Sequence, residues 1–293
     1  MPQNFWTMTQ PPLRLHTLLA LGRASNLPTV WSNCLAAWLI SGGGNWWAFP
    51  LLALGASLLY LGGMFLNDAF DVEFDRQFRS ERPIPAGHIS ARDVWWYGGL
   101  QLFAGWLLLF FLGVTVAWLA LALAATIVFY DAVHKRTEFA PLLMAGCRWL
   151  LYLVAGAATL QELRFPVLGH GAALGAYIVG LSFVARVESR SGPAPLWPLV
   201  LVATPLIANV WIEPSRNAWS WLASALLLVW LVRCVWSFHR DAKSDVSRLI
   251  SGLLAGVVLV DGAAVSTLSP GAFLGFAGLF ALARWLQRAV PAT

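Results

Sequence analysis

Asn67, Asp68, Asp71 and Asp75 stand in a run that reads NDAFDVEFDRQFRSERPIPAG, from Asn67 to Gly87. This stretch of 21 residues holds five of the 14 acidic residues of the chain, and Arg76, Arg79 and Arg82 lie among them. Continued as a helix from Leu61, the four polar residues fall at about 0°, 100°, 40° and 80°, on one face, while Glu73 at about 240° points away. Long apolar runs lie on either side, so the stripe sits at the mouth of a membrane helix. Carboxylates are costly there unless something cationic balances them. Hard oxygen ligands used in ones and twos, with water and substrate phosphate completing the shell, are how Mg²⁺ is usually held. The pattern points to a Mg²⁺–diphosphate site, with Asp71 and Asp75 as leading metal contacts and Asn67 and Asp68 close behind. Pro83 and Pro85 stop the helix and Gly87 permits a turn, which keeps Arg79 and Arg82 near the carboxylates.

The elements that must carry this stripe are membrane helices. The chain of 293 residues is 59% hydrophobic and 11% charged, with 17 Trp and 17 Phe, and its mean hydropathy is +0.68. Soluble domains run near half apolar and about a quarter charged. The expected fold is all-α, a polytopic transmembrane bundle around a central cavity, formed by residues 1–293 as one domain. Apolar runs of spanning length fall at about 15–40, 47–67, 94–112, 114–130, 142–160, 167–187, 195–212, 218–238 and 248–267. That gives nine spans, or ten if the run 271–287 crosses rather than lying along the interface. The three cysteines, Cys34, Cys147 and Cys234, show no paired spacing, so neither a disulfide framework nor a zinc site is supported. The opening MPQNFWTMTQPPLRLHTLL lacks the pattern of a cleaved signal peptide.

Charge sets the orientation. Of 19 Lys and Arg, Arg164 and Arg216 fall on one set of loops. The remaining 17 are assigned to the N-terminus, to span ends opening onto the polar loops 67–93, 131–141, 186–194 and 239–248, or to the C-terminus. The positive-inside rule then places the N-terminus and these four loops in the cytoplasm, in the inner (cytoplasmic) membrane of a bacterium. Basic residues that flank membrane spans suit lipid headgroups and an anionic substrate, not nucleic acid.

Other polar residues draw attention. Tyr130, Asp131, Lys135 and Arg136 gather at the end of the fourth span, where the basic pair serves either the site or the topology. Asp131 either orients a substrate or pairs with Lys135. Asp241 and Asp245 share a face if helical, and are either part of the site or a solvated loop. Glu188, in RVESR, either faces the site or pairs with Arg186 or Arg190. Asp261, in VVLVDGAAV, lies deep in a span, where an acid is presumed functional. It either bonds Ser or Asn across helices or accepts a proton. The glycine-rich stretch 41–44 makes a turn between spans, and the Trp pairs 46–47 and 95–96 read as interfacial belt residues.

NDAFDVEFD fits the NDxxDxxxD signature of the UbiA superfamily of intramembrane prenyltransferases, and RSERPIPAG resembles its RxxRPxPxG continuation. Tyr130 to Arg136 resembles the family's YxxxxKR. The resemblance implies a bundle of about nine helices that binds a prenyl diphosphate, such as geranylgeranyl diphosphate, through Mg²⁺ at two facing Asp-rich motifs. It implies transfer of the prenyl group to a small-molecule acceptor, commonly an aromatic ring. Carried over by position, Asn67, Asp68, Asp71 and Asp75 are metal ligands, and Arg79, Lys135 and Arg136 contact diphosphate, with Arg82 and Tyr130 beside them. The second motif departs: after the sixth span the chain reads GLSFVARVESRSG. Either Glu188 serves alone, or Asp241 and Asp245 close the site, or a single Mg²⁺ is held. The pattern is that of a divergent branch, more like the UbiA-like proteins of bacterial gene clusters than the quinone-forming enzymes.

Breaking an allylic C–O bond leaves negative charge on diphosphate and carbocation character on the prenyl group. Mg²⁺, Arg and Lys clamps and aromatic faces are what those charges need. The expected activity is prenyl transfer to an aromatic or polyol acceptor at the cytoplasmic side of the membrane. The rival is a transporter or lipid-binding membrane protein that reuses the fold without catalysis. Phosphatidyl transfer from a CDP-alcohol needs a DGxxAR-type run, and none occurs.

Overall fold

The structure, a computed structural model, describes residues 15–187, 197–212, 217–240, 246–268 and 270–290. Glu188, Asp241 and Asp245 lie outside the described residues. The apolar runs are mostly helical where described. In chain order the helices are α1 (Leu15–Leu21), α2 (Leu27–Ile40), α3 (Phe49–Phe70), α4 (Val72–Phe78), α5 (Ala91–Phe110), α6 (Val114–Val133) and α7 (Ala140–Leu160). They continue as α8 (Phe165–Val187), α9 (Trp197–Val202), α10 (Thr204–Ile212), α11 (Ala218–Arg240), α12 (Val246–Val265) and α13 (Pro270–Ala289). By length and apolarity, α3, α6, α7, α8, α11 and α12 each suffice to cross a membrane. Helix α12 is buried along nearly its whole length, packed among α2, α8, α11 and α13. The Trp pairs 46–47 and 95–96 are exposed.

Two of the expected spans are not single helices. The run 15–40 breaks between α1 and α2, where Arg23 adopts the left-handed conformation at φ 42°, ψ 50° and Ala24–Asn26 form a 3₁₀ turn. Pro28, in the first turn of α2, has no N–H to return to the preceding turn. The Arg23 carbonyl accepts from the Asn26 N–H at 3.0 Å and from the Tyr60 hydroxyl at 3.3 Å. The run 195–212 breaks at Ala203, just before Pro205, for the same reason. Irregular backbone at membrane depth persists only where protein surrounds it, and here it turns the Arg23 side chain inward.

The helix bearing the acid stripe is fixed by close packing. Helices α3 and α5 meet through Gly55 and Gly62 on one and Gly98 and Gly105 on the other. A Cβ on Gly62 would stand 2.9 Å from the Gly98 carbonyl oxygen and from the Leu102 nitrogen, and one on Gly105 would stand 2.8 Å from the Gly55 carbonyl. Each helix presents its glycines seven residues apart, two turns along one face. Small residues at this spacing let backbones touch where lipid offers no hydrophobic drive.

The loop after α4 is held by a satellite core. Ile84 and Ile89 pack with Leu21, Phe65, Ala69 and Val94, each isoleucine stabilising the loop by roughly 1.5–3 kcal/mol. Between them the chain turns through Gly87 at φ 77°. Ser90 then caps α5, its hydroxyl oxygen accepting from the Asp93 N–H at 3.1 Å. Replacing Gly62 by Leu forces α3 from α5, and a loss of about 1–3 kcal/mol, typical of overpacking, is expected as a lower thermal midpoint of the detergent-purified protein. Gly99→Leu, where a Cβ meets nothing within 4 Å, leaves the midpoint in place.

Candidate active site

The stripe forms as its spacing requires. Helix α3 ends at Phe70 and α4 begins at Val72, yet the hydrogen bonds run on: Asp71 N–H to Asn67 O at 3.0 Å, Asp75 N–H to Asp71 O at 2.9 Å, and Arg79 N–H to Asp75 O at 2.8 Å. The helical phase survives the turn at Asp71. Asn67, Asp68, Asp71 and Asp75 are all buried, 2–9% exposed. Glu73 points outward, paired with Arg76 at 2.8 Å on the surface.

Two of the buried acids hold cations directly. Asp68 Oδ1 accepts from Arg82 at 2.9 Å and from Arg23 at 3.3 Å. Arg23 also donates to Asn67 Oδ1 at 3.2 Å and reaches the Met64 sulfur at 3.2 Å. Asp71 Oδ1 meets Lys135 Nζ at 2.8 Å, and its Oδ2 lies 3.5 Å from His134 Nε2. Lys135 Nζ also stands 3.6 Å over the Phe74 ring, and the Tyr130 ring stacks on His134 at 5.1 Å. Burial works against the Asp71 charge, but His134 and Lys135 hold its carboxyl below the ordinary value. Burial lowers His134, and Asp71 more than offsets this, raising the imidazole above its usual range. The proximity of the two groups favours the charged form of each.

The structure corrects one sequence reading and adds two residues. Asp131 does not pair with Lys135; its Oδ1 accepts from Asn67 Nδ2 at 3.0 Å, because Lys135 is drawn to the more central Asp71. Arg186 donates to the Glu138 and Thr137 carbonyls at 3.0 and 3.2 Å, tying α8 to the loop before α7. The side chains of Arg79 and Arg136 are exposed and close no bond to the stripe among the described residues. Arg23 and His134 were missing from the expected set. An arginine set inside an apolar run just ahead of Asn-Leu-Pro was the available signal for Arg23.

Among the described residues no three His, Cys, Asp or Glu side chains are gathered as a ready cage for a metal ion. Asp68 and Asp71 are turned to Arg23, Arg82 and Lys135 instead. Two carboxylate oxygens of the cluster are buried without a hydrogen-bond partner, Asp75 Oδ1 and Asp131 Oδ2. Such orphaned oxygens are rare in folded proteins and are the hard donors that a divalent cation takes. Mg²⁺ needs only one or two carboxylates when phosphate and water supply the rest, so the residues present fit it. Replacing Asn67 by Leu strips Asp131 of its remaining donor. A loss of about 1–3 kcal/mol is expected as a lower thermal midpoint in detergent, against at most ~0.5 kcal/mol for Glu73→Ala at the exposed pair.

Comparisons with known proteins identify the family and the fold. The profile of the UbiA prenyltransferase family matches residues 25–254. The chain is 31% identical over 150 residues to a 4-hydroxybenzoate octaprenyltransferase of Polaromonas sp., covering 50% of this chain and 51% of the relative. It is 30% identical over 206 residues to a digeranylgeranylglyceryl phosphate synthase of Methanoculleus marisnigri, covering 70% of this chain and 63% of that one. The match thus spans about half the length of the octaprenyltransferase. The fold is that of a UbiA homolog from Archaeoglobus fulgidus solved with GPP and Mg²⁺, at a TM-score of 0.60 and 15% identity over 86% of this chain and 99% of the other. With its buried acid stripe, its clamp of arginines and lysine, and a family match over most of its length, the chain belongs to the UbiA prenyltransferase family.

Proposed function

We propose that the protein transfers a prenyl group from a prenyl diphosphate, such as geranylgeranyl diphosphate, to an aromatic or polyol acceptor at the cytoplasmic side of the membrane. The observation that carries this reading is the pairing of four buried polar residues on one helical face with Arg23, Arg82 and Lys135. Cations paired with buried acids at the end of a bundle can turn to a diphosphate as the acids they release take a divalent ion. Relatives named as acting on 4-hydroxybenzoate and on a glyceryl phosphate support the reaction class. Nine apolar runs cross the membrane in this reading, or ten where 271–287 also crosses, with the tail of the substrate held inside the bundle.

Asp71 and Asp75 would hold Mg²⁺, with Asn67 and Asp68 beside them. When bound, the ion supplies Lewis-acid stabilisation to the departing diphosphate. Arg23, Arg82 and Lys135, released from Asp68 and Asp71, place N–H donors where phosphate charge grows. Arg79 and Arg136, exposed at the rim, would engage the diphosphate as it enters. Asn67 keeps Asp131 oriented, and Tyr130 holds His134 in place by stacking. Glu188, Asp241 and Asp245 are proposed to complete the substrate side.

Asp71→Ala is expected to lower Mg²⁺-dependent diphosphate release from labelled geranylgeranyl diphosphate, in the presence of cell extract, by about 10²-fold or more, and Lys135→Ala by a comparable factor. The assay uses the purified full-length protein in lipid vesicles. Saturable binding of the diphosphate with no turnover in the unaltered protein would overturn prenyl transfer in favour of a carrier or lipid-binding role.

A further inference from the structure

Arg148 lies eight residues into α7, about 12 Å along the helix at 1.5 Å per residue. Its charge belongs to the bundle interior and not, as its place in the sequence suggests, to a loop end. An ionisable side chain at this depth is expensive. The ordinary remedy, a carboxylate in direct contact, is lacking among the described residues. Its guanidinium donates instead to two neutral acceptors on α2: Nη1 to Asn33 Oδ1 at 2.8 Å and Nη2 to Thr29 Oγ1 at 3.0 Å.

The counter-charge sits one residue further back. Asp261, on α12 and 1% exposed, accepts at Oδ2 from Asn33 Nδ2 at 2.7 Å and from Ser32 Oγ at 2.6 Å. Asn33 is thus relayed between the two charges, its amide oxygen facing the arginine and its amide nitrogen facing the aspartate. Asp261 Oδ1 closes no hydrogen bond among the described residues. A guanidinium has five N–H donors, and two are used here. The half-buried Arg148 is therefore held in place from behind while three donors keep no protein partner among the described residues. A purely structural ion pair would have closed directly, fork to carboxylate.

The position connects with the site already described. The Arg148 guanidinium lies 5.9 Å from the centre of the Tyr60 ring. The Tyr60 hydroxyl donates to the Arg23 carbonyl at 3.3 Å, and Arg23 grips Asn67 and Asp68. Arg148 stands one aromatic ring away from the residue that anchors the acid stripe, on the interior side.

We infer that Arg148, backed by Asn33 and Asp261, is a specificity-determining residue that receives an oxyanion of the acceptor, a carboxylate or a phosphate, on the interior side of the diphosphate site. The inference rests on the prenyl-transfer reading above. The diphosphate has Arg23, Arg82 and Lys135 beside its acids, whereas Arg148 is attached to helices that carry none of them. Its fork matches a planar or tetrahedral oxyanion, and the apolar surroundings strengthen that bond.

The test is equilibrium binding to the purified full-length protein in vesicles, with Mg²⁺ and geranyl diphosphate present. The probes are 4-hydroxybenzoate against 4-hydroxybenzamide, and glycerol 1-phosphate against glycerol. At least one anion is expected to bind about tenfold or more tightly than its uncharged counterpart, and which one does so separates carboxylate from phosphate. Arg148→Gln is expected to abolish that margin while geranyl diphosphate affinity stays within twofold. Arg148→Lys, which keeps the charge in the bundle but lacks the fork, is expected to retain part of it. No margin in the unaltered protein, a margin unchanged in a folded Arg148→Gln, or an equal loss of geranyl diphosphate binding would each overturn the inference. If Arg148→Gln fails to fold, an unchanged margin in Arg148→Lys overturns it. Failure of the unaltered protein to bind geranyl diphosphate at all strikes instead at the prenyl-transfer reading.

Discussion

Burying charge at the end of a membrane helix governs this structure. Four acids, Asp68, Asp71, Asp75 and Asp131, lie at most 9% exposed, and none could persist there without a cation or a donor close by. That demand is met by Arg23 at the break in the first apolar run, by Arg82 on the proline-rich loop after α4, and by Lys135, which lies over Phe74. Each brings positive charge to a place the helix itself cannot supply it. The pairing is incomplete at Asp75 Oδ1 and Asp131 Oδ2, which have no hydrogen-bond partner among the described residues.

Support for the acids comes from two different kinds of packing. The satellite core around Ile84 and Ile89 fixes the loop that carries Arg82, so an arginine on a connecting segment is placed as firmly as one on a helix. The glycine contact between α3 and α5 fixes the helix that carries the acids. Loop residues on rigid supports are where binding groups commonly sit.

The acid stripe was legible because helical phase is a local property: once residues 67–75 are helical, geometry alone gathers Asn67, Asp68, Asp71 and Asp75 and turns Glu73 away. Arg82 was legible through the prolines and glycine that stop the helix. The partnership of Arg23 was not, since it depends on a break in the first run and on a contact 44 residues away with Asn67. Asp131 was visible as polar but its partner was not, because Asn67 and Lys135 compete for it only in three dimensions. The bond of Asp261 to Ser and Asn across helices was foreseen as one of two readings, and Ser32 and Asn33 fulfil it. Arg148 was counted among the charges at span ends, since hydropathy reports how apolar a segment is and not how far along it a side chain enters the bundle.

The glycine contact also divides the molecule into a part that can change and a part that cannot. Backbones already touching at Gly62 and Gly98 leave no slack for a bulkier neighbour, so inherited variation near the acid stripe is purged by sterics before chemistry is tried. Where a Cβ would meet nothing within 4 Å, as at Gly271, Gly275 and Gly278 on α13, a larger side chain has space. The backbone beside the acid stripe therefore admits less change than the outer face of α13.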